Sequence, residues 1–187
     1  GTSIWVYDAC GGTTCVGSDL DPILKFDASG KLETSFGAGV IVRPHGIHVG
    51  PEGNVWVTDR LASDGRGHQV FKFSRAGELL MTLGTAGIAG DGPNEFNSPS
   101  AVLVAPNGDI FVGDGHGDDS NARIVKFSAD GSYLLEWGGK GAGVGEFETP
   151  HALAMDSKGR LFVGDRENSR IQIFDQQGNF LDEWTQF

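Results

Sequence analysis

The chain has 187 residues, 30 of them glycine, and its 25 acidic against 14 basic side chains give a net charge of −11. That balance argues against a phosphate-backbone or anionic-membrane partner, and no apolar run approaches the ~20 residues needed to span a bilayer, so neither nucleic-acid binding nor membrane insertion is expected. The length allows one domain with a sizeable core, and the glycines fall between apolar runs in the manner of turns.

The chain opens directly on the strand-like run Ile4-Trp5-Val6-Tyr7, ending in Asp8, with no signal-peptide pattern ahead of it, as a mature secreted protein or a trimmed one would. Cys10 and Cys15, the only cysteines, follow in a Gly-rich loop. A lone C-x4-C is either a small disulfide or half of a metal site. The lack of a second pair favours the disulfide, and with it an extracellular or periplasmic compartment. A second run, Ile23–Phe26, precedes a turn glycine, Gly30, and a third strand.

The same order recurs three times. Strand-like runs end in Asp59, Asp114 and Asp165, so the four aspartates are spaced by 51, 55 and 51 residues. Second runs end in Phe73, Phe127 and Phe174, each followed four residues later by Gly77, Gly131 and Gly178. These three units also carry a leading strand after a proline: Pro44-His45-Gly46-Ile47, Pro99-Ser100-Ala101-Val102 and Pro150-His151-Ala152-Leu153. No stretch of helical length shows a 3.6-residue apolar period. Four short antiparallel strands per repeat predict an all-β fold, a β-propeller of four-stranded blades. The units run over about 1–39, 40–94, 95–146 and 147–187 of a single domain. The first lacks its leading strand, so the propeller is expected to be incomplete, its ring closed by missing blades of a longer chain or by homo-oligomeric association.

The run Asp165-Arg166-Glu167-Asn168-Ser169-Arg170-Ile171-Gln172-Ile173-Phe174 resembles the core of an NHL repeat. The wider pattern resembles the NHL propellers of the peptidyl-α-hydroxyglycine α-amidating lyases, through Pro44–Ile47 leading to Gly53–Asp59, Val112–Gly115, Arg123–Phe127, and Pro150–Leu153 leading to Asp165–Asn168. The resemblance implies a six-bladed family fold, of which about four blades are present. It also implies release of glyoxylate from a hydroxyglycine-extended peptide, leaving a peptide amide, with zinc held by three channel histidines and a structural calcium nearby. On that resemblance His45 and His151 are zinc ligands, the backbone carbonyl of Ile47 is a calcium ligand, and Arg166 is a catalytic arginine. His116 stands where the family has its active-site tyrosine, and Ala9 where it has a substrate-binding arginine. The family's third histidine lies in a later blade.

The repeat supports part of this independently. His45 and His151 occupy equivalent positions two blades apart, with Ser100 between, and leading strands line a propeller channel. A catalytic zinc takes three protein ligands and an open position. With the usual third histidine absent, His116 could supply that ligand, the alternative being a side chain that points to solvent. His48 and His68 have no counterpart in phase and are read as structural or solvated. The recurrent aspartates are read as scaffold groups accepting hydrogen bonds from turn amides, and Arg123 and Arg170 as their partners. The segment Gly113–Asp119 is either a cation loop or, preferably, an acidic turn. Two functions follow: a zinc-dependent lyase acting on a small-molecule or peptide substrate, or a non-catalytic NHL propeller that binds a protein or glycan.

Overall fold

The structure, a computed structural model, describes residues 3–186. Fifteen strands form four antiparallel sheets, each a meander in chain order. The first has three strands, β1 (Ile4–Tyr7), β2 (Ile23–Phe26) and β3 (Leu32–Phe36). The second has four, β4 (Pro44–Val49), β5 (Val55–Asp59), β6 (Gln69–Phe73) and β7 (Leu79–Leu83). The third comprises β8 (Pro99–Val104), β9 (Ile110–Asp114), β10 (Arg123–Phe127) and β11 (Tyr133–Gly138), and the fourth β12 (Pro150–Met155), β13 (Leu161–Asp165), β14 (Arg170–Phe174) and β15 (Phe180–Trp184). No helix occurs among the described residues. These are propeller blades, and among the described residues the first has no counterpart of the inner strand that β4, β8 and β12 supply to the others. The two cysteines form the disulfide Cys10–Cys15 in the β1–β2 connection.

Alternation along each strand explains why the blades stack. In β5, Val55 and Val57 enter a core shared with Ile23 and Phe36 of the first blade, whereas Trp56 enters the core shared with the third. In β9, Ile110 and Val112 join Trp56, while Phe111 joins Leu161, Val163 and Phe174 of the fourth blade. A strand whose two faces are both covered reads as an unbroken apolar run, which is why β5 and β9 are buried at every position. The glycine after each second run sits in the left-handed region, φ +84° at Gly30, +89° at Gly77, +87° at Gly131 and +83° at Gly178, a conformation that a Cβ disfavours.

The recurrent aspartates place the inner strands. Asp59 accepts the amides of Val42 and Arg43, Asp114 that of Asn97, and Asp165 those of Glu148 and Thr149, all just ahead of the next leading proline. Asp114 and Asp165, both fully buried, also pair with Arg123 and Arg170 at 3.0 Å. Each arginine reaches on to carbonyls of the connection into its blade, Gly92 and Glu95 for Arg123, Ala142, Gly143 and Glu146 for Arg170. In the second blade Gln69 replaces the arginine. Burial pushes the Asp59 carboxyl up to about 6, against the amides of Arg43 and Val42 that pull it down. Asp8 differs: it is exposed and caps only the amide of Gly11.

Arg123→Ala should leave a buried, unpaired carboxylate and lower stability by about 3–5 kcal/mol, read as a fall in the urea midpoint. Asp114→Asn combined with Arg123→Met should recover part of that loss. A midpoint unmoved by the single change would show that the pair does not hold the blade.

Candidate metal centre

Each inner strand begins with a proline followed by a break in register, between Pro44 and Ile47, Pro99 and Ala101, and Pro150 and Ala152. Proline offers no amide to the ladder, and a residue left unpaired at a bulge turns its side chain out of the sheet's alternation. The residues so placed are His45, Ser100 and His151. Adjacent blades touch closely: a Cβ on Gly46 would stand 2.6 Å from the Ser100 carbonyl oxygen, and one on Gly113 2.8 Å from that of Pro150. The Gly46 amide donates to Thr58 Oγ1 at 2.7 Å, and Ser100 Oγ donates to the carbonyls of Gly113 and Pro150.

His116 arrives from the loop after β9. Gly115 and Gly117, at φ +148° and +110°, fold that loop back, and a Cβ on Gly115 would stand only 1.7 Å from the Asn121 carbonyl oxygen. His116 thereby comes to lie against the two inner-strand histidines. The ring centroids are 4.7 Å apart for His45–His116, 4.8 Å for His45–His151 and 5.1 Å for His116–His151. One ring nitrogen of each lies within 4.8 Å of the others, the one such cluster of histidine, cysteine or carboxylate side chains among the described residues.

The hydrogen bonds set the tautomers. His45 Nδ1 lies 2.7 Å from the Ser100 carbonyl oxygen, which can only accept, so Nδ1 carries the proton and Nε2 keeps its lone pair. His116 Nε2 lies 3.4 Å from Arg60 Nη1 and 3.3 Å from Arg166 Nη1, while its Nδ1 is buried without a partner. Burial lowers the pKa of His45 to about 4, against the Ser100 hydrogen bond and with help from His151, Arg60 and Arg166. Burial, then Arg60, His45, Arg166 and His151, lower His116 to about 4 as well, and burial with Arg166 and Arg60 lowers His151. The site thus holds three neutral imidazoles, the protonation state that binds a metal. Nitrogens bound tetrahedrally to zinc lie about 3.4 Å apart, so small rotations of these side chains would complete a three-nitrogen set from one ring nitrogen of each histidine.

The remaining expected residues are placed as follows. Ile47 opposes Val57 and packs its side chain on the core between the first two blades, so only its main chain is available to a cation. Arg166 is half exposed, pairs with Glu167 at 2.6 Å and reaches His116. Ala9 lies beside the disulfide and brings no charge. His68 is buried and accepts the Ser98 amide at its Nδ1, and His48 sits in β4 opposite Trp56, both away from the cluster. Asp118 and Asp119 are exposed and join no cluster, as an acidic turn would. Arg60 was not expected at the site. Its signal was present: it follows Asp59 as Arg166 follows Asp165.

The NHL repeat family matches residues 147–174. NHL repeat-containing protein 3 of Homo sapiens is 38% identical over 174 residues, covering 90% of this chain and 49% of the relative. Peptidyl-alpha-hydroxyglycine alpha-amidating lyase 1 of Drosophila melanogaster is 40% identical over 159 residues, covering 79% of this chain and 28% of the relative. The chain therefore spans about half the length of the first curated relatives it matches. A solved streptogramin B lyase superposes with a TM-score of 0.65 at 19% identity, over 97% of this chain and 50% of that one. The periplasmic gluconolactonase of Pseudomonas aeruginosa gives 0.59 at 16%, over 98% and 50%. At such identities these structures speak for the propeller fold alone.

The lowered histidine pKa values carry a stability consequence. Below about pH 6.5 the unfolded chain takes up protons that His45 and His116 refuse in the fold until about pH 4. The stability that these histidines lend the metal-free protein is therefore lost as pH falls through that window, opposed by Asp59 and Asp114, whose carboxyls burial raises to about 6, and the histidine share is read as the part of any decline in melting temperature that a histidine variant removes. His45→Gln should make the decline shallower; an identical profile would mean that His45 is not held neutral by the fold.

Proposed function

The chain is an NHL-repeat β-propeller resembling the peptidyl-α-hydroxyglycine α-amidating lyases, and from that premise we propose that it is a zinc-dependent lyase of the amidating type, or a divergent relative acting on a related hydroxy compound. The observation that carries the proposal is the convergence of His45, His116 and His151, supplied by three different blades, with the first and last at equivalent positions on inner strands. These three would hold the metal. Bound there, zinc would supply Lewis acidity, lowering the pKa of a substrate hydroxyl or of a water.

The chain's own groups do the rest. Ser100 fixes His45 in the tautomer that leaves Nε2 free. Arg166, whose Nη1 already reaches into the cluster, orients the substrate and stabilises negative charge as it develops on oxygen. In the lyase reaction the bond between the hydroxylated carbon and nitrogen breaks, the hydroxyl loses its proton as the carbonyl of glyoxylate forms, and the departing nitrogen is protonated to the amide. The same resemblance assigns a calcium to the carbonyl of Ile47. The disulfide is compatible with an extracellular or periplasmic location.

One observation favours a second reading, a non-catalytic propeller that binds a protein or glycan. Ala9 stands where the resemblance places an arginine on the first blade.

Elemental analysis after dialysis should find about one zinc per chain, lost in His45→Ala and in His151→Ala. His116→Ala should also lose it if its imidazole is the third ligand; full zinc without turnover of a hydroxyglycine peptide would make His116 a proton acceptor instead. Full zinc in the first two variants would remove the site altogether.

A further inference from the structure

Arg60 and Arg166 follow the strand-ending aspartates of the second and fourth blades, and their Nη1 atoms approach the same atom, Nε2 of His116. A guanidinium only donates hydrogen bonds, so both depend on one lone pair. Arg166 has Glu167 as a further partner. Arg60 has none: its Nε is buried without a hydrogen bond, and among the described residues no carboxylate forms an ion pair with it. In a chain of net charge −11, Arg60 thus stands at the channel without a carboxylate partner, and the two guanidiniums share one acceptor.

A neutral imidazole has one N–H and one lone pair. Ligation through Nε2 uses that lone pair directly. Ligation through Nδ1 leaves the proton on Nε2, facing two further donors. Either way Arg60 and Arg166 lose their acceptor. We infer that metal binding converts this guanidinium pair into a carboxylate site, with one carboxylate oxygen available to each arginine in place of the His116 lone pair. The inference rests on the zinc reading above and deepens it. Occupancy of the metal by His116 and of the arginines by a carboxylate are linked, so each tightens the other by the same factor. Arg60, on the second blade, thereby takes on a task for which the first blade offers only Ala9.

Zinc affinity of the full chain, measured by competition with a chromophoric chelator, should tighten about fivefold or more when sodium acetate replaces sodium perchlorate at constant ionic strength. Arg60→Gln should still bind zinc but lose this gain, whereas acetate that merely ligates zinc would act equally on the variant. In His116→Ala the guanidiniums are released from the outset, so calorimetric acetate binding should no longer require zinc. An equal gain in Arg60→Gln, or zinc affinity indifferent to acetate, overturns the linkage and leaves the three-histidine centre standing. A chain that binds no zinc overturns both.

Discussion

A carboxylate buried where the second strand of a blade ends holds the chain just before that blade's inner strand begins. Asp59, Asp114 and Asp165 each accept main-chain amides one or two residues ahead of a leading proline. Without that anchor the prolines would have no fixed height along the channel, and neither would the residues immediately after them. The cost of burying the charge is offset in the third and fourth blades by Arg123 and Arg170, which bond the connection as well as the acid. The second blade manages with Gln69, and burial raises the carboxyls of Asp59 and Asp114 alike to about 6, whether or not an arginine is paired with them.

From these anchors the site assembles by contacts between backbones. The carbonyl of Ser100 receives His45 Nδ1 and Thr58 Oγ1, and the carbonyl of Pro150 receives Ser100 Oγ. Small residues permit this approach: Gly46 and Gly113 stand where any Cβ would meet a neighbouring carbonyl. Ser100, at the position occupied by histidine in the blades on either side, is thus a positioning residue for the imidazole of the preceding blade.

Much of the fold was legible because its signals repeat. The aspartate spacing, the turn glycines and the leading prolines each occur three or four times, so a single ambiguous strand could not mislead. The same logic exposed His45 and His151, and it singled out Arg123 and Arg170 as partners of the acids. His116 was legible only as a departure from a pattern, since no periodicity governs a loop whose path depends on two glycines with positive φ and a close approach to Asn121. Arg60 escaped because half of its environment, His116 and Arg166, lies more than 50 residues away in sequence. Its in-phase match with Arg166 was the one available clue. The Ile47 carbonyl offers no signal of this kind, because a main-chain ligand leaves no trace in residue identity.

The division of each strand's side chains between two cores bears on how the molecule opens. The β5 and β9 blades are clamped from both sides, whereas β1 and β15 present Ile4, Val6, Leu181 and Trp184 to solvent. Local opening of a blade costs less than global unfolding, and the cluster draws one histidine from each of the second, third and fourth blades. Slippage of any one of the three against its neighbours would therefore dismantle it before the chain unfolds.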